Sequence, residues 1–114
     1  SYKELEVRRK SHQLVLRIYQ LTNKFPVDER FRLVDQICRA ALQYRLILPK
    51  EQDDIAKKIL TISLYSLGSI EETKYLLLLA KELSYLDEAN YLSLEKDYSE
   101  VGRMLNGLIS SMRG

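Results

Sequence analysis

YLSLEKDYSEVGRMLNGLISSMRG, residues Tyr91–Gly114, sets Tyr91, Leu94, Tyr98, Val101, Leu105, Leu108 and Met112 at unbroken spacings of three and four. That stepping is the seam of a helix packed lengthwise on other helices. It recurs in three earlier segments, so the chain reads as all-α: an antiparallel up-and-down four-helix bundle, a single domain over residues 1–114. A bundle of this kind carries no chemistry by default.

Composition agrees. Of 114 residues 46% are apolar and 30% charged, with four Gly, two Pro and no Trp. This favours helices with one wet face over a sheet. Cys38 is the only cysteine and sits among apolar residues. It reads as a buried small hydrophobe in a reduced compartment. No apolar run approaches the roughly 18 residues of a membrane span. The start, Ser1-Tyr2-Lys3-Glu4, lacks the apolar stretch of a signal peptide. A cytoplasmic protein is the expectation.

The net charge of +2 hides an asymmetry. Residues 1–58 hold 13 Lys/Arg against 8 Asp/Glu, and residues 59–114 hold 5 against 8. A basic first half hints at a polyanionic partner but falls short of the strongly basic domain of a dedicated nucleic-acid binder.

Working back along the chain, helix 4 starts at an Asp87 N-cap, with Glu88 in its first turn, and frays from Ser110. Helix 1 runs from about Tyr2 to Lys24. Ser1 is its cap, Val7, Ser11, Leu14, Ile18, Leu21 and Phe25 form its seam, and Phe25-Pro26 ends it. Helix 2 begins at an Asp28 N-cap and runs to Pro49. Its stripe is Val34, Ile37, Ala41, Tyr44 and Leu48. Phe31, Cys38 and Leu42 widen that stripe on one side, and Leu33, Ala40 and Ile47 on the other. Helix 3 runs from Lys50–Asp53 to about Ser84. One of its faces holds Ile59, Ile62, Leu76, Ala80 and Leu83. A second holds Leu60, Leu67, Ile70 and Leu77, and Leu64 and Leu78 add a third line. Ser63, Ser66, Gly68, Ser69 and Thr73 keep its middle thin, so a neighbouring helix can come close. A mid-helix Gly68 costs up to about 1 kcal/mol, which predicts a packing reason for it.

Helices 2 and 3 carry more apolar surface than one bundle uses, the run Leu76-Leu77-Leu78-Leu79-Ala80 above all. Surplus faces of this kind mark interfaces, and a closed homo-oligomeric ring buries them without an open end. Leu60, Leu64, Leu67 and Leu78 are the candidate contacts between copies.

Catalytic and metal-binding patterns are missing. One His, His12, and one Cys give no zinc spacing. Asp53-Asp54 and Glu71-Glu72 are adjacent pairs that split across helix faces, and no Glu-x-x-His is present. No phosphate loop or nucleophile elbow occurs. The expectation is no cofactor, no metal and no enzyme. Two basic groups remain: Arg8, Arg9, Lys10 and Arg17 on helix 1, and Arg30, Arg32, Arg39 and Arg45 on helix 2. They read either as solvated faces or as a phosphate-contacting rim. The tyrosines, mostly at seam positions, read as core or interface residues.

Tyr2-Lys3-Glu4-Leu5-Glu6-Val7, His12, Leu14-Val15-Leu16, Ile18-Tyr19 and Lys24-Phe25-Pro26 resemble the first helix of the bacterial four-helix-bundle proteins. That superfamily includes proteins encoded in intervening sequences of large-subunit ribosomal RNA genes. Its sister branch is Avd, the accessory protein of diversity-generating retroelements. Leu79-Ala80-Lys81-Glu82-Leu83-Ser84-Tyr85-Leu86 is similar to the end of the family's third helix. Glu100-Val101-Gly102-Arg103-Met104-Leu105-Asn106-Gly107 is similar to the last helix of Avd. Arg39-Ala40-Ala41 continues as Leu42-Gln43-Tyr44-Arg45-Leu46-Ile47-Leu48, where the intervening-sequence branch usually has a Ser-Ile-Pro-x-Asn-Ile-Ala-Glu-Gly-like segment; this is closer to the Avd-like branch. The resemblance implies a homopentamer that binds a reverse transcriptase and engages RNA or DNA through basic surfaces. It makes Arg8, Arg9, Lys10, Arg17, Arg32, Arg39 and Arg45 the candidate contacts. Arg103 would be structural, paired with a carboxylate. The alternative is a structural or scaffold homo-oligomer, natural or engineered, with no nucleic-acid role.

Overall fold

The computed structural model describes residues 2–42 and 55–113. α1 spans Tyr2–Thr22, a one-turn 3-10 helix spans Val27–Glu29, and α2 spans Leu33–Leu42. α3 spans Ile55–Glu82 and α4 spans Glu88–Arg113. Among the described residues there is no strand. α1 packs on α2 and α4, and α3 packs on the same two helices. The helices therefore ring one core, with α1 and α3 at opposite corners, in a body of 47 × 24 × 19 Å.

The seam of α4 is the centre of that core. Leu94, Tyr98, Val101, Leu105 and Leu108 are buried, with half-buried Tyr91 and Met112 at the two ends. From α1 come Val7, Ser11, Leu14 and Ile18, with Phe25 just beyond. The Asp87 Oδ1 accepts the Asn90 N–H at 2.9 Å, which is the N-cap expected of α4. The expected fraying from Ser110 does not occur, since the helix continues to Arg113. Buried Leu108 and Ile109 hold its last turns on the core.

The inward face of α3 is small and partly polar. Ser63, Ser66, Ser69 and Thr73 are buried beside Ile70, Leu76, Leu77 and Ala80. The thin middle does admit a neighbour: Ser69 Oγ donates to the Ala40 carbonyl of α2 at 2.6 Å. Ser66 and Thr73 hydroxyls turn back onto carbonyls of their own helix, of Ile62 and Ser69. Gly68 has no such role. It is exposed, and a Cβ there would meet nothing within 4 Å. Of the apolar run, Leu76, Leu77 and Ala80 are buried and Leu78 and Leu79 half-buried, so the bundle absorbs much of that surplus. Leu83, expected on a packed face, is exposed because the helix ends beside it.

The start of helix 2 also differs from expectation. Asp28 does not cap an α-helix. Instead Pro26 opens a 3-10 turn without a side-chain cap, and α2 begins only at Leu33. The cause is tertiary. The Glu29 carboxylate is buried, where it accepts the Tyr85 hydroxyl at 2.9 Å and the Arg32 Nε at 2.9 Å. Turning Glu29 inward tightens the chain into successive three-residue turns, Glu29 N–H to Pro26 and Arg32 N–H to Glu29. Phe31, expected on the packed stripe, stands in that turn 85% exposed. Tyr44, Arg45, Ile47, Leu48, the Pro49 exit and the start of helix 3 lie outside the described residues, as do Ser1 and the side chain of Ile59.

Candidate interaction surfaces

The basic residues of α1 do not form one open rim. Lys10 Nζ pairs with Glu100 at 2.6 Å. Arg17 pairs with Asp97 and donates to Ser93 Oγ at 2.7 Å. Both therefore tie α1 to α4, and α4 supplies the charge that cancels theirs. Arg9 pairs within its helix with Glu6 at 2.9 Å, and this holds the Glu6 carboxyl below its ordinary pKa range. Arg8 is half-buried, its Nε enclosed without a hydrogen-bond partner among the described residues.

On the α2 side, Arg32 pairs with Glu29 and Arg39 with Asp35 at 3.2 Å. Their side chains remain 69% and 77% exposed, seven residues apart on one outer face. Arg45 falls outside the described residues. Arg103 is exposed and, among the described residues, pairs with no carboxylate, so the expected structural pairing is not found there. Glu100, one turn before it on α4, is already held by Lys10.

The proposed contacts between copies lie on the outer corner of α3. Leu64 is exposed, and Leu60, Leu67 and Leu78 are half-buried. Exposed Tyr75 and Gly68 join them, with Glu71 in the middle of the stripe. A second outer stripe, not singled out from the sequence, runs along α1. Tyr2, Leu5, Leu16 and Tyr19 are all exposed there, with His12 and Arg9 between them. The spacing 2, 5, 9, 12, 16, 19 is a heptad step as regular as the buried seam beside it. That regularity was the readable sign; the stronger inner seam masks it.

Among the described residues no group of three or more His, Cys, Asp or Glu is placed to hold a metal. His12 is exposed. Cys38 is half-buried instead of fully buried, because it lies where α2 crosses the end of α1 near the Thr22 hydroxyl, 3.9 Å away. Burial pushes its thiol pKa up, and the Thr22 contact offsets only part of that, so the reactive thiolate is disfavoured. Two hollows border Lys10, Arg17 and Arg30: one of 110 Å³ at Lys10, Gln13 and Arg17, and one of 200 Å³ at Tyr19, Val27 and Arg30. Both fall below the roughly 300 Å³ of the smallest usual small-molecule sites, whereas a hollow of 380 Å³ lies at Lys57, Lys58, Thr61 and Ile62. No described helix is long and apolar enough to cross a membrane.

The sequence model of the family described as 23S rRNA-intervening sequence protein matches residues 3–107, nearly the whole bundle. The chain belongs to this family. An intervening-sequence family member of known structure comes from Bacteroides thetaiotaomicron VPI-5482, a protein of unknown function from the S23 ribosomal protein family. It superposes with a TM-score of 0.75 at 25% identity, over 94% of each chain. No curated protein matches the sequence. These likenesses establish the superfamily, and they do not single out the Avd-like branch.

Proposed function

We propose that the protein is a non-enzymatic, homo-oligomeric adaptor that holds RNA, and a protein working on that RNA, against an assembled ring. The observation that carries the reading is the apolar outer corner of α3, with exposed Leu64 and Tyr75 and half-buried Leu60, Leu67 and Leu78, which no element among the described residues covers. A small bundle gains nothing from leucines facing water, and burying them against other copies removes that cost. The resemblance to Avd supports five copies and a reverse transcriptase as the protein partner.

Arg32 and Arg39 are the phosphate contacts best supported by the geometry. Both arginine side chains are mostly exposed, and the Arg39–Asp35 pair is exposed at both ends; a surface pair of that kind is worth about 0–1 kcal/mol, little enough to exchange for a phosphate. Lys10 and Arg17 instead serve the α1–α4 junction.

The test is the solution mass by light scattering, with and without a structured RNA at low salt. The expected result is a mass near five chains that rises with RNA. Arg32→Gln with Arg39→Glu should abolish the rise while keeping the ring mass. A ring mass indifferent to RNA would favour the second reading, a structural scaffold. That reading has its own support: Arg9, Lys10, Arg17, Arg32 and Arg39 each already face a carboxylate of the same chain.

A further inference from the structure

The outer stripes of α1 and α3 keep one register at Tyr2/Leu64, Leu5/Leu67, Arg9/Glu71 and Leu16/Leu78, differ by one residue at Tyr75 and Glu82, and carry opposite charge. On α1 the positions are Tyr2, Leu5, Arg9, His12, Leu16 and Tyr19. On α3 they are Leu64, Leu67, Glu71, Tyr75, Leu78 and Glu82. Each stripe is apolar at most positions and carries a charge at its third, Arg9 on one and Glu71 on the other. The α1 stripe holds no carboxylate. The α3 stripe holds two, and the Glu71 side chain is 75% exposed, with only a loose 3.7 Å approach to Lys74.

We infer that the α1 stripe of one copy packs side by side, in the same direction, on the α3 stripe of the next, with Arg9 opposite Glu71. This inference rests on the self-association reading above and names the surfaces that carry it. In that register Leu5 lies opposite Leu67 and Leu16 opposite Leu78, so each leucine finds an apolar partner. α1 and α3 run the same way in the bundle, so rotation about an axis along the bundle brings them together in parallel.

Pairing each stripe with itself about such an axis fails on charge. Arg9 would face Arg9, and Glu71 would face Glu71, which is destabilising across a helix pair. Because α1 and α3 occupy opposite corners, the contact is head-to-tail, and head-to-tail contacts close into rings when the rotation per copy allows it. The α2 corner with Arg32 and Arg39 then stays uncovered on one wall of the assembly, and α4 forms the other.

Charge reversal tests the pairing, read as mass by light scattering at low salt over a dilution series. Arg9→Glu alone and Glu71→Arg alone should each shift dissociation to at least tenfold higher protein concentration. The double variant should recover most of that shift. Both positions are exposed, so helical circular dichroism should be unchanged.

Cross-linking gives an independent readout. In a Cys38→Ala background, Leu5→Cys and Leu67→Cys proteins should form disulfide-linked dimers when mixed, and neither should do so alone. An oligomer whose mass ignores both reversals, or a Leu5→Cys protein that cross-links to itself, would overturn the α1–α3 pairing and leave self-association standing. A wild-type chain that stays monomeric at every concentration would overturn self-association and the pairing together.

Discussion

Ser84 holds a backbone conformation that serine seldom takes, with φ at 65°. It closes α3: its N–H reaches the Lys81 carbonyl at 2.9 Å, and the Tyr85 N–H reaches Ala80 at 2.9 Å. Together these form the paired hydrogen bonds of a left-handed helix stop. A glycine fits that position without the Cβ clash, which costs roughly 1–2 kcal/mol, against the ~0.5–1 kcal/mol it loses by being freer when unfolded. Ser84→Gly is therefore expected to stabilise the fold by about 0.5–1 kcal/mol. Chemical denaturation should show this as a higher midpoint with an unchanged slope. The sequence announces an end to the helix here only by loss of its apolar stepping, since no glycine marks it. The Asp87 cap three residues later was legible, because an aspartate ahead of an acidic first turn has one common use.

Between elements, Glu29 is the pin. It joins the turn before α2 to the end of α3 through Tyr85, whose ring also lies 5.7 Å from that of Phe25. The Tyr85 hydroxyl, and then Arg32, hold the Glu29 carboxyl below its ordinary range, while the same contact raises the Tyr85 hydroxyl. A lowered carboxyl contributes stability above its unfolded pKa of about 4.3, lost as pH falls through the folded value. A raised phenol contributes stability below its unfolded pKa of about 10, lost as pH rises through the folded value. The stability gap between wild type and Tyr85→Phe should thus be level from about pH 5 to 9 and narrow on both sides. A gap that persists unchanged at pH 3 would show that the hydroxyl acts on something other than the Glu29 charge. No local pattern in Val27-Asp28-Glu29-Arg30 announces this pin, because its partner Tyr85 lies far along the chain, beyond the end of α3. Asp28 looked like the better cap on local rules.

At the scale of the molecule, the outer corners of α1 and α3 are both apolar. Copies that bind only when folded stabilise the fold by mass action. Thermal unfolding should therefore move to higher temperature as protein concentration rises, by a few degrees per tenfold. A melting temperature independent of concentration would count against assembly.

How far the residues alone reached depended on whether a face was uniform. The α4 seam and the α1 seam were readable because apolar side chains meet the core there at nearly every step, Ser11 being the exception. α3 was readable in part: Ser63, Ser66, Ser69 and Thr73 were legible as a thin face that admits a neighbour, but leucines stand on the outer corner as well as inside. Side-chain polarity alone therefore does not tell which of its faces is inward. The basic residues were likewise easy to find and hard to interpret: no spacing rule could show that Lys10 and Arg17 meet Glu100 and Asp97, 90 and 80 residues away.

The sequence by itself determined that the chain is helical, how many long helices it has and which stripes of α1 and α4 turn inward, since those follow from period and local capping. Only the tertiary structure decided the direction in which α3 faces, the turn that delays α2, and which charges remain free to meet a partner. Each of those depends on contacts between residues far apart in the chain, and a periodic pattern carries no information about what stands opposite it.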